Sequence, residues 1–519
     1  MKTWKRLLTT AIMVTLIMSL LAACGKSDSK STEAASASGE GAAASDEAVE
    51  LTYLTTGDLV AAPLAKDDRI IAEINKRLGI KLNLKIVPYG ANDQVIAAFA
   101  SGDYPDVVTT SYPTQAVSQW INEGILVPIN DYLDEMPTVK QKLENGLQWT
   151  AIDGKYYGYL YQVGGEHSNY TITYRQDWLD KLNLQLPTTL DDLYNVLKAF
   201  ATQDPDGNGK ADTYGLTTTK PGAGSRISTF DFAFYAYGLP YADYELDDQG
   251  NVIPRFEHPA FKQGIEYLRK LNEEKLIDPE FLVNDNGGKE QKFYQQKAGA
   301  MDDALFRNVS RIEGSLQAVN PNGVIGWTAP PVGPEGKGGM WTVPKGGLLT
   351  GITKEAKNKE KAAKFIEFLL SPEGRDLLQN GIEGIHYTKD GDKITYNEEE
   401  RAKDGFAKNG WSHPLAWGNV IYPLDASYLP QTEPNRDRAI QSVEISSKTQ
   451  IPNLVPTIGP VELKNSAIVN EIYNQYFLDI INGKIDIDTG IAELSKKWRQ
   501  QGGDEILKEI TDEYNKLKK

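Results

Sequence analysis

Nine residues near the middle of the chain, DPDGNGKAD (204–212), space oxygen atoms as a calcium loop does. Asp204, Asp206, Asn208 and Asp212 fall at loop positions one, three, five and nine; Gly209 falls at six, where such loops turn sharply, and Lys210 offers its carbonyl at seven. Hard oxygen donors suit Ca²⁺ better than Zn²⁺. Position twelve is Gly215, so the bidentate carboxylate of an EF-hand is missing. TTLDDLYNVLKAFA before the loop reads as helix and YGLTTT after it as extended chain, so a structural ion would sit in a helix-loop-strand; an Asp/Gly-rich turn without an ion is the other reading.

Cys24 is the one cysteine in 519 residues. Lys2, Lys5 and Arg6 precede an apolar run to Ala23, the layout of a secretory signal peptide. Leu21-Ala22-Ala23-Cys24 then resembles a lipobox, in which the cysteine sulfur receives diacylglycerol before cleavage. Cys24 would begin the mature protein as a lipid anchor to the cell membrane, with a plain secretory signal as the alternative. Residues 24–49 are mostly Ser, Ala, Gly and acid with no aromatic, too poor in apolar surface to offset ordering entropy, and read as a flexible tether.

The remaining chemistry is restricted by counts. Loss of residues 1–23 removes three cations and no acid, moving the net charge from -16 to -19, and no basic stripe offers itself to nucleic acid. With no second cysteine there is no intramolecular disulfide. The four histidines, His167, His258, His386 and His413, stand in no H-E-x-x-H motif, and neither G-x-S-x-G nor a Walker loop occurs, so no catalytic residue is assigned. His413 reads as a surface or packing residue.

The elements that position these residues alternate. VELTYL (49–54) is a strand; Ile70, Ile71, Ile74 and Leu78 mark a helix within 62–78, closed by Gly79; KLNLKIV (81–87) is a strand, QVIAAFA (94–100) a helix and PDVV (105–108) a buried strand. Such alternation builds a parallel α/β sheet with helices on its faces. Near the C-terminus Ile472, Tyr476 and Ile480, then Leu494 and Trp498, give helices apolar faces, punctuated by Gly502-Gly503.

SGDYPDVV (101–108), YRQDWLDKLNLQLPTTLDDLYNVLKAF (174–200), DPDGNGKADTYG (204–215), AAKFIEFLLSPEG (362–374) and GIEGIHY (381–387) resemble, in this order, the lipoprotein-type extracellular solute-binding proteins of ABC carbohydrate importers. Asn183 stands where that family usually has Gly, and Asn also tolerates a left-handed cap; Thr213 stands where relatives often carry a further acid. The resemblance implies an α/β, two-lobed periplasmic-binding-protein-like fold with a hinge and an interlobe ligand cleft. It implies one lobe from 50–155 plus 325–378 and another from 160–320 plus 385–519. It further implies a monomeric receptor, not an enzyme, that delivers an oligosaccharide to ABC permease subunits. A lipid-anchored glycoside hydrolase and a receptor for peptides or metal chelates are the competing functions.

In doubly wound lobes ligands meet the carboxyl ends of strands. That selects Asp58 after the first strand, Ser111 and Tyr112 after PDVV, and Tyr161 near the hinge. Arg226 opens an aromatic stretch, RISTFDFAFYAYG, where helix-start amides and a guanidinium could hold sugar oxygens, and Asp302 could accept from hydroxyls. Trp411, Trp417 and Tyr422 in WSHPLAWGNVIYPL, with Trp341, are candidate stacking surfaces, core packing being the alternative for each.

Overall fold

The computed structural model describes residues 48–57, 66–88, 92–112, 114–144, 150–152, 154–161, 170–219, 230–239, 243–305, 307–341, 347–391, 393–406, 412–416, 435–451, 455 and 460–517. Cys24, the tether, Asp58, Arg226, Trp411, Trp417 and Tyr422 lie outside them, as does the side chain of Trp341.

In chain order the strands are β1 Val49–Gly57, β2 Ile80–Pro88, β3 Val107–Tyr112, β4 Leu126–Val127, β5 Tyr159–Tyr161, β6 Tyr170–Arg175, β7 Tyr214–Thr217, β8 Tyr244–Leu246, β9 Val252–Pro254, β10 Ala298–Ala304, β11 Ile325–Trp327, β12 Met340–Trp341, β13 Gly347–Thr353, β14 Tyr387–Asp390, β15 Lys393–Tyr396 and β16 Gln450–Ile451. Two sheets dominate. The first runs β2-β1-β3-β13-β4, with β5 also on β13; β1, β2 and β3 are parallel and β13 is antiparallel to its neighbours. The second runs β11-β6-β10-β7, with β7 and β10 parallel and β6 antiparallel to β10 and β11.

Local signals account for the helices between them. Asp68 accepts from the Ile70 and Ile71 amides at 2.8 and 3.0 Å, so helix Arg69–Leu78 starts there; Ile70 and Ile74 are its buried stripe, and Gly79 ends it at φ 60°. The expected helix at 94–100 is Asn92–Ala100, with Val95 and Phe99 buried. A Thr189/Asp192 capping box opens helix Leu190–Thr202, and Asn183 adopts φ 54° in the turn before it.

The expected aromatic helix is Asp231–Tyr235, beginning five residues after Arg226, and every residue in it is buried. Phe230 and Phe234 contact Phe477, so these rings belong to the core of the second sheet, with Tyr473 and Trp498 from the C-terminal helices.

The resemblance places 385–416 in the second lobe, but the described residues of this stretch pack on the first sheet. Phe406, Leu415 and Ala416 join the core around Leu51, Tyr53 and Ile352. Arg69 Nε donates to Asp404 Oδ2 at 2.6 Å and Nη1 to Glu400 Oε2 at 2.8 Å. His386 accepts the Ile382 amide on Nδ1, leaving Nε2 to donate to Asp404 at 2.7 Å. His413, read in the sequence as surface or packing, is fully buried; Nδ1 accepts from the Leu415 amide and Nε2 donates to Asp68 at 2.9 Å. Among the described residues no helix is long and apolar enough to cross a membrane.

Candidate ligand cleft

Leu348 of β13 pairs with Ser111 on one side and Tyr161 on the other, and Gly347 pairs with Tyr112. Three expected ligand residues from two separate strands, β3 and β5, therefore share one edge of the first sheet. β1 runs parallel to β3 and ends on this edge at Gly57, directly before Asp58. Ser111 and Tyr112 are half-buried and Tyr161 is buried; burial pushes the Tyr112 hydroxyl above its ordinary pKa, keeping it a neutral donor. Beneath the edge, the Tyr53, Thr109 and Thr350 hydroxyls form a buried chain with contacts of 2.7 Å, which fixes the register of β1, β3 and β13.

The matching edge of the second sheet carries charge. Met301 pairs with Thr217, so Asp302 and Asp303 emerge level with Thr218 and Thr219, opposite Ile172 and Thr171 of β6. Lys289 Nζ lies 3.2 Å from Asp303 Oδ2 and 4.0 Å from Asp302 Oδ1, and it also donates to the Asp302 carbonyl. Arg307 Nη1 donates to Asp303 Oδ1 at 3.2 Å. Burial opposes the Asp303 charge, but Lys289, Arg307 and Arg311 overcome it and hold that carboxyl below its usual range. Asp302 is treated differently: burial pushes it up to about 6 against the pull of Lys289, and its Oδ1 has no hydrogen-bond partner. Asp303 Oδ2 likewise has no hydrogen-bond partner, so it is the close ion pairs with Lys289 and Arg307 that make Asp303 the fixed counter-ion and leave Asp302 the less committed acceptor.

The two edges meet. Ala304 and Val309 of the second sheet's side lie in the first core, and Tyr170 and Trp327 pack against it. The chain passes between the sheets from Tyr161 to Tyr170 and from Trp327 to Gly347. Helix Asn435–Lys448 bridges them a third time. Its Ser442 hydroxyl donates to the Leu305 carbonyl at 2.6 Å and accepts from Asn308 at 3.1 Å, while Ala439 and Val443 sit in the first core. The sequence reading missed Lys289, Tyr170 and Trp327; aromatic residues at strand ends were the available signal for the last two. Trp341 is in β12, whose backbone pairs with β16 away from either sheet.

The 204–212 loop lies elsewhere, between helix Leu190–Thr202 and β7. Asp204, Gly207 and Gly209 take φ of 48°, 74° and 76°, which winds the loop tightly. The Asn208 amide donates to Asp206 Oδ2 at 2.6 Å and Asp212 Oδ1 at 3.1 Å, and Gly209 N donates to Asp204 Oδ2 at 3.1 Å. Asp204 Oδ1 is shielded with no partner. Burial, together with the Asp204 and Asp212 charges, pushes the Asp206 carboxyl up. Lys297 Nζ, 2.8 Å from Asp212 Oδ2, offsets part of this negative charge. Among the described residues no three His, Cys, Asp or Glu side chains gather closely enough to hold a metal on their own. The missing twelfth ligand has a packing cause, since a Cβ on Gly215 would stand 2.6 Å from the Leu197 carbonyl oxygen.

Residues 60–376 match the model of the bacterial extracellular solute-binding proteins. The chain belongs to this family. Among solute-binding relatives, it is 28% identical to the polygalacturonan/rhamnogalacturonan-binding protein YtcQ of Bacillus subtilis over 99% of each chain. It is 26% identical to lipoprotein LipO of the same organism, over 86% of this chain and 88% of that one. The solved structure of a FusA EF-hand mutant from Streptococcus pneumoniae, in complex with fructo-nystose, superposes with a TM-score of 0.70 at 21% identity, covering 90% of this chain and 99% of that one. The two-sheet α/β architecture is accordingly that of periplasmic solute-binding proteins.

Proposed function

We propose that this solute-binding protein captures an oligosaccharide outside the cell, without turning it over, and delivers it as a monomer to the permease of an ABC importer. The observation that carries the reading is the convergence, where the chain crosses between sheets, of Ser111, Tyr112 and Tyr161 with an acceptor-bearing Asp302. Hydroxyl-rich ligands need such a mixture of donors, acceptors and aromatic faces. The binding activity named for YtcQ, a relative matched over its full length, supports a carbohydrate. Asp58, Arg226, Trp341, Trp411, Trp417 and Tyr422 are proposed to complete the site. We place residues 50–155 and 325–378 in one lobe and 160–320 in the other, with the C-terminal helices from 460 onward on the second. Residues 385–416 join the first lobe because of the packing described above.

Adding galacturonate or fructose oligomers is expected to raise the melting temperature, and X-ray scattering to show a more compact particle as the hinge closes. Trp417→Ala should weaken binding about thirtyfold, the equivalent of about 2 kcal/mol. Release of shorter sugars by purified protein would transfer the reading to a glycoside hydrolase; stabilisation by peptides or metal chelates alone would transfer it to those ligands.

A structural calcium ion is proposed at the 204–212 loop, held by Asp204, Asp206, Asn208 and Asp212 with the Lys210 carbonyl. The shielded, partnerless Asp204 oxygen and the raised Asp206 support it, as does the EF-hand named for FusA. Bound calcium would neutralise the carboxylates and tie the end of helix Leu190–Thr202 to β7. Chelation should lower the melting temperature, and Asp206→Ala should abolish the difference; identical melting with calcium and with chelator would leave only a turn.

Cys24 is proposed to carry the lipid anchor and residues 24–49 to act as a spacer. LipO, named a lipoprotein, supports this. Cys24→Ser should move the protein from the membrane fraction to the medium or stall its processing. An unmodified N-terminal mass in wild type would remove the anchor.

A further inference from the structure

We propose that the outer face of the first sheet carries a second carbohydrate site, remote from the cleft and selective for neutral glycans. A cavity of about 530 Å³, within the range of small-molecule sites, lies beside Thr52, Asn83, Lys85, Ala98, Tyr104 and Pro105. It sits near the amino ends of β1 and β3, whereas the cleft residues cluster at the carboxyl ends.

The cavity exists because a helix stops short. Helix Asn92–Ala100 covers the part of the sheet where Leu54 and Val87 pack with Val95 and Phe99. Toward the amino ends, Thr52 pairs with Asn83 and Leu54 with Lys85, leaving the residues on this face of the edge strand β2 bare. Asn83 and Lys85 are exposed, two residues apart on one face, and among the described residues neither side chain takes part in a hydrogen bond or ion pair.

The opposite wall is preset. The Tyr104 ring is held by Phe99 at 5.4 Å and by Lys354 Nζ at 5.3 Å from the ring centre. Thr52 is locked to the start of β3: its amide and hydroxyl donate to Asp106 Oδ2 at 2.7 and 2.6 Å, and its oxygen accepts from the Asp106 amide at 2.8 Å. A ligand would not have to order this wall, which lowers the entropic cost of binding.

The ligand class follows from the balance of groups. Lys85 on one side and Asp103 on the other cancel in charge, so neither an anion nor a cation is favoured. What remains is an amide, an ammonium and a carboxylate around the apolar surfaces of Ala98, Tyr104 and Pro105. A neutral sugar, with a C–H face ringed by hydroxyls, presents the complement. The cavity is open to solvent on one side, so its affinity belongs in the millimolar range. Its role is retention of a glycan on the receptor's outer wall, separate from the transported ligand.

Hydrogen exchange read peptide by peptide tests the site without depending on the cleft. With the processed chain and millimolar kestose, a neutral trisaccharide, exchange across residues 82–85 and 98–106 should slow severalfold. The double substitution Asn83→Ala, Lys85→Ala lies on an exposed strand and should erase that protection while leaving the melting curve and any cleft protection intact. Absence of slowing in wild type, or slowing that persists unchanged in the double variant, overturns the site. Equal or stronger protection by trigalacturonate overturns its neutral selectivity.

Discussion

Replacing Arg401 with methionine is expected to remove about 4 kcal/mol of folding stability, more than most single substitutions cost. Arg401 is fully buried. Its Nη1 donates to the carbonyls of Gln379 and Asn380 at 3.3 and 2.8 Å, the last carbonyls of helix Pro372–Asn380. The guanidinium also lies 4.2 Å from the ring centres of both Tyr396 and Phe406. Burial pulls its pKa down, but an arginine remains charged at any pH the protein meets. Methionine fills the volume but leaves buried carbonyls short of a donor, at about 1–3 kcal/mol, and forfeits desolvated cation–π contacts worth about 2 kcal/mol. Arg401→Lys should recover only part of the loss, because an ammonium cannot fill a planar slot between two rings. Urea titration gives the figure. A loss below about 1 kcal/mol would mean that the His386, Asp404 and Arg69 contacts alone hold this segment to the first sheet.

Gly299→Ala should cost about 3 kcal/mol, the upper part of the range for overpacking a core. A Cβ at this position would stand 2.1 Å from Cδ2 and 2.4 Å from Cγ of Phe200. Phe200 cannot retreat: it is fully buried, and Trp178 packs edgewise on it at 5.6 Å. The neighbouring strand shows the same constraint at Gly215, against the Leu197 backbone, so β7 and β10 both press directly on helix Leu190–Thr202. A shift of that helix would be transmitted in two directions. Asp204 lies two residues beyond its end, and Asp302 lies three residues beyond Gly299 in β10. The variant is therefore expected to lose calcium-dependent stabilisation and sugar affinity together. Unchanged values of both, with stability reduced by less than about 0.5 kcal/mol, would show that the helix slides freely over the sheet.

Elements with local punctuation were legible. Gly79 and Asn183 ended their segments in the left-handed conformation that their types favour, and the alternation of VELTYL corresponds to β1. Long-range placement was not legible. GLLTGIT, now β13, is apolar with two glycines and says nothing of the fact that it lies between β3 and β4 and carries β5. The position of Arg401 is equally silent: EEERAK reads as a charged, solvated helix, and only the tertiary structure sets one of its cations between two rings. At the candidate site, the rule that ligands meet carboxyl ends picked out Ser111 and Tyr112, which the structure sets level with Tyr161 across β13. It could not separate the roles of Asp302 and Asp303, since Lys289 and Arg307 reach them from other turns of the chain.

The place of β13 also sets an order of assembly. Every strand of the second sheet lies within residues 170–327, so that sheet can form once this stretch is free to fold. The first sheet begins earlier in the chain but lacks its central strand until residue 353 has emerged, and residues 385–416 must follow before its side is covered. Until then β3 offers an open edge carrying four consecutive residues that end up buried, Val107, Val108, Thr109 and Thr110. The half of the protein synthesised first is therefore the half completed last, and it is the part exposed to aggregation and to proteases while the chain folds.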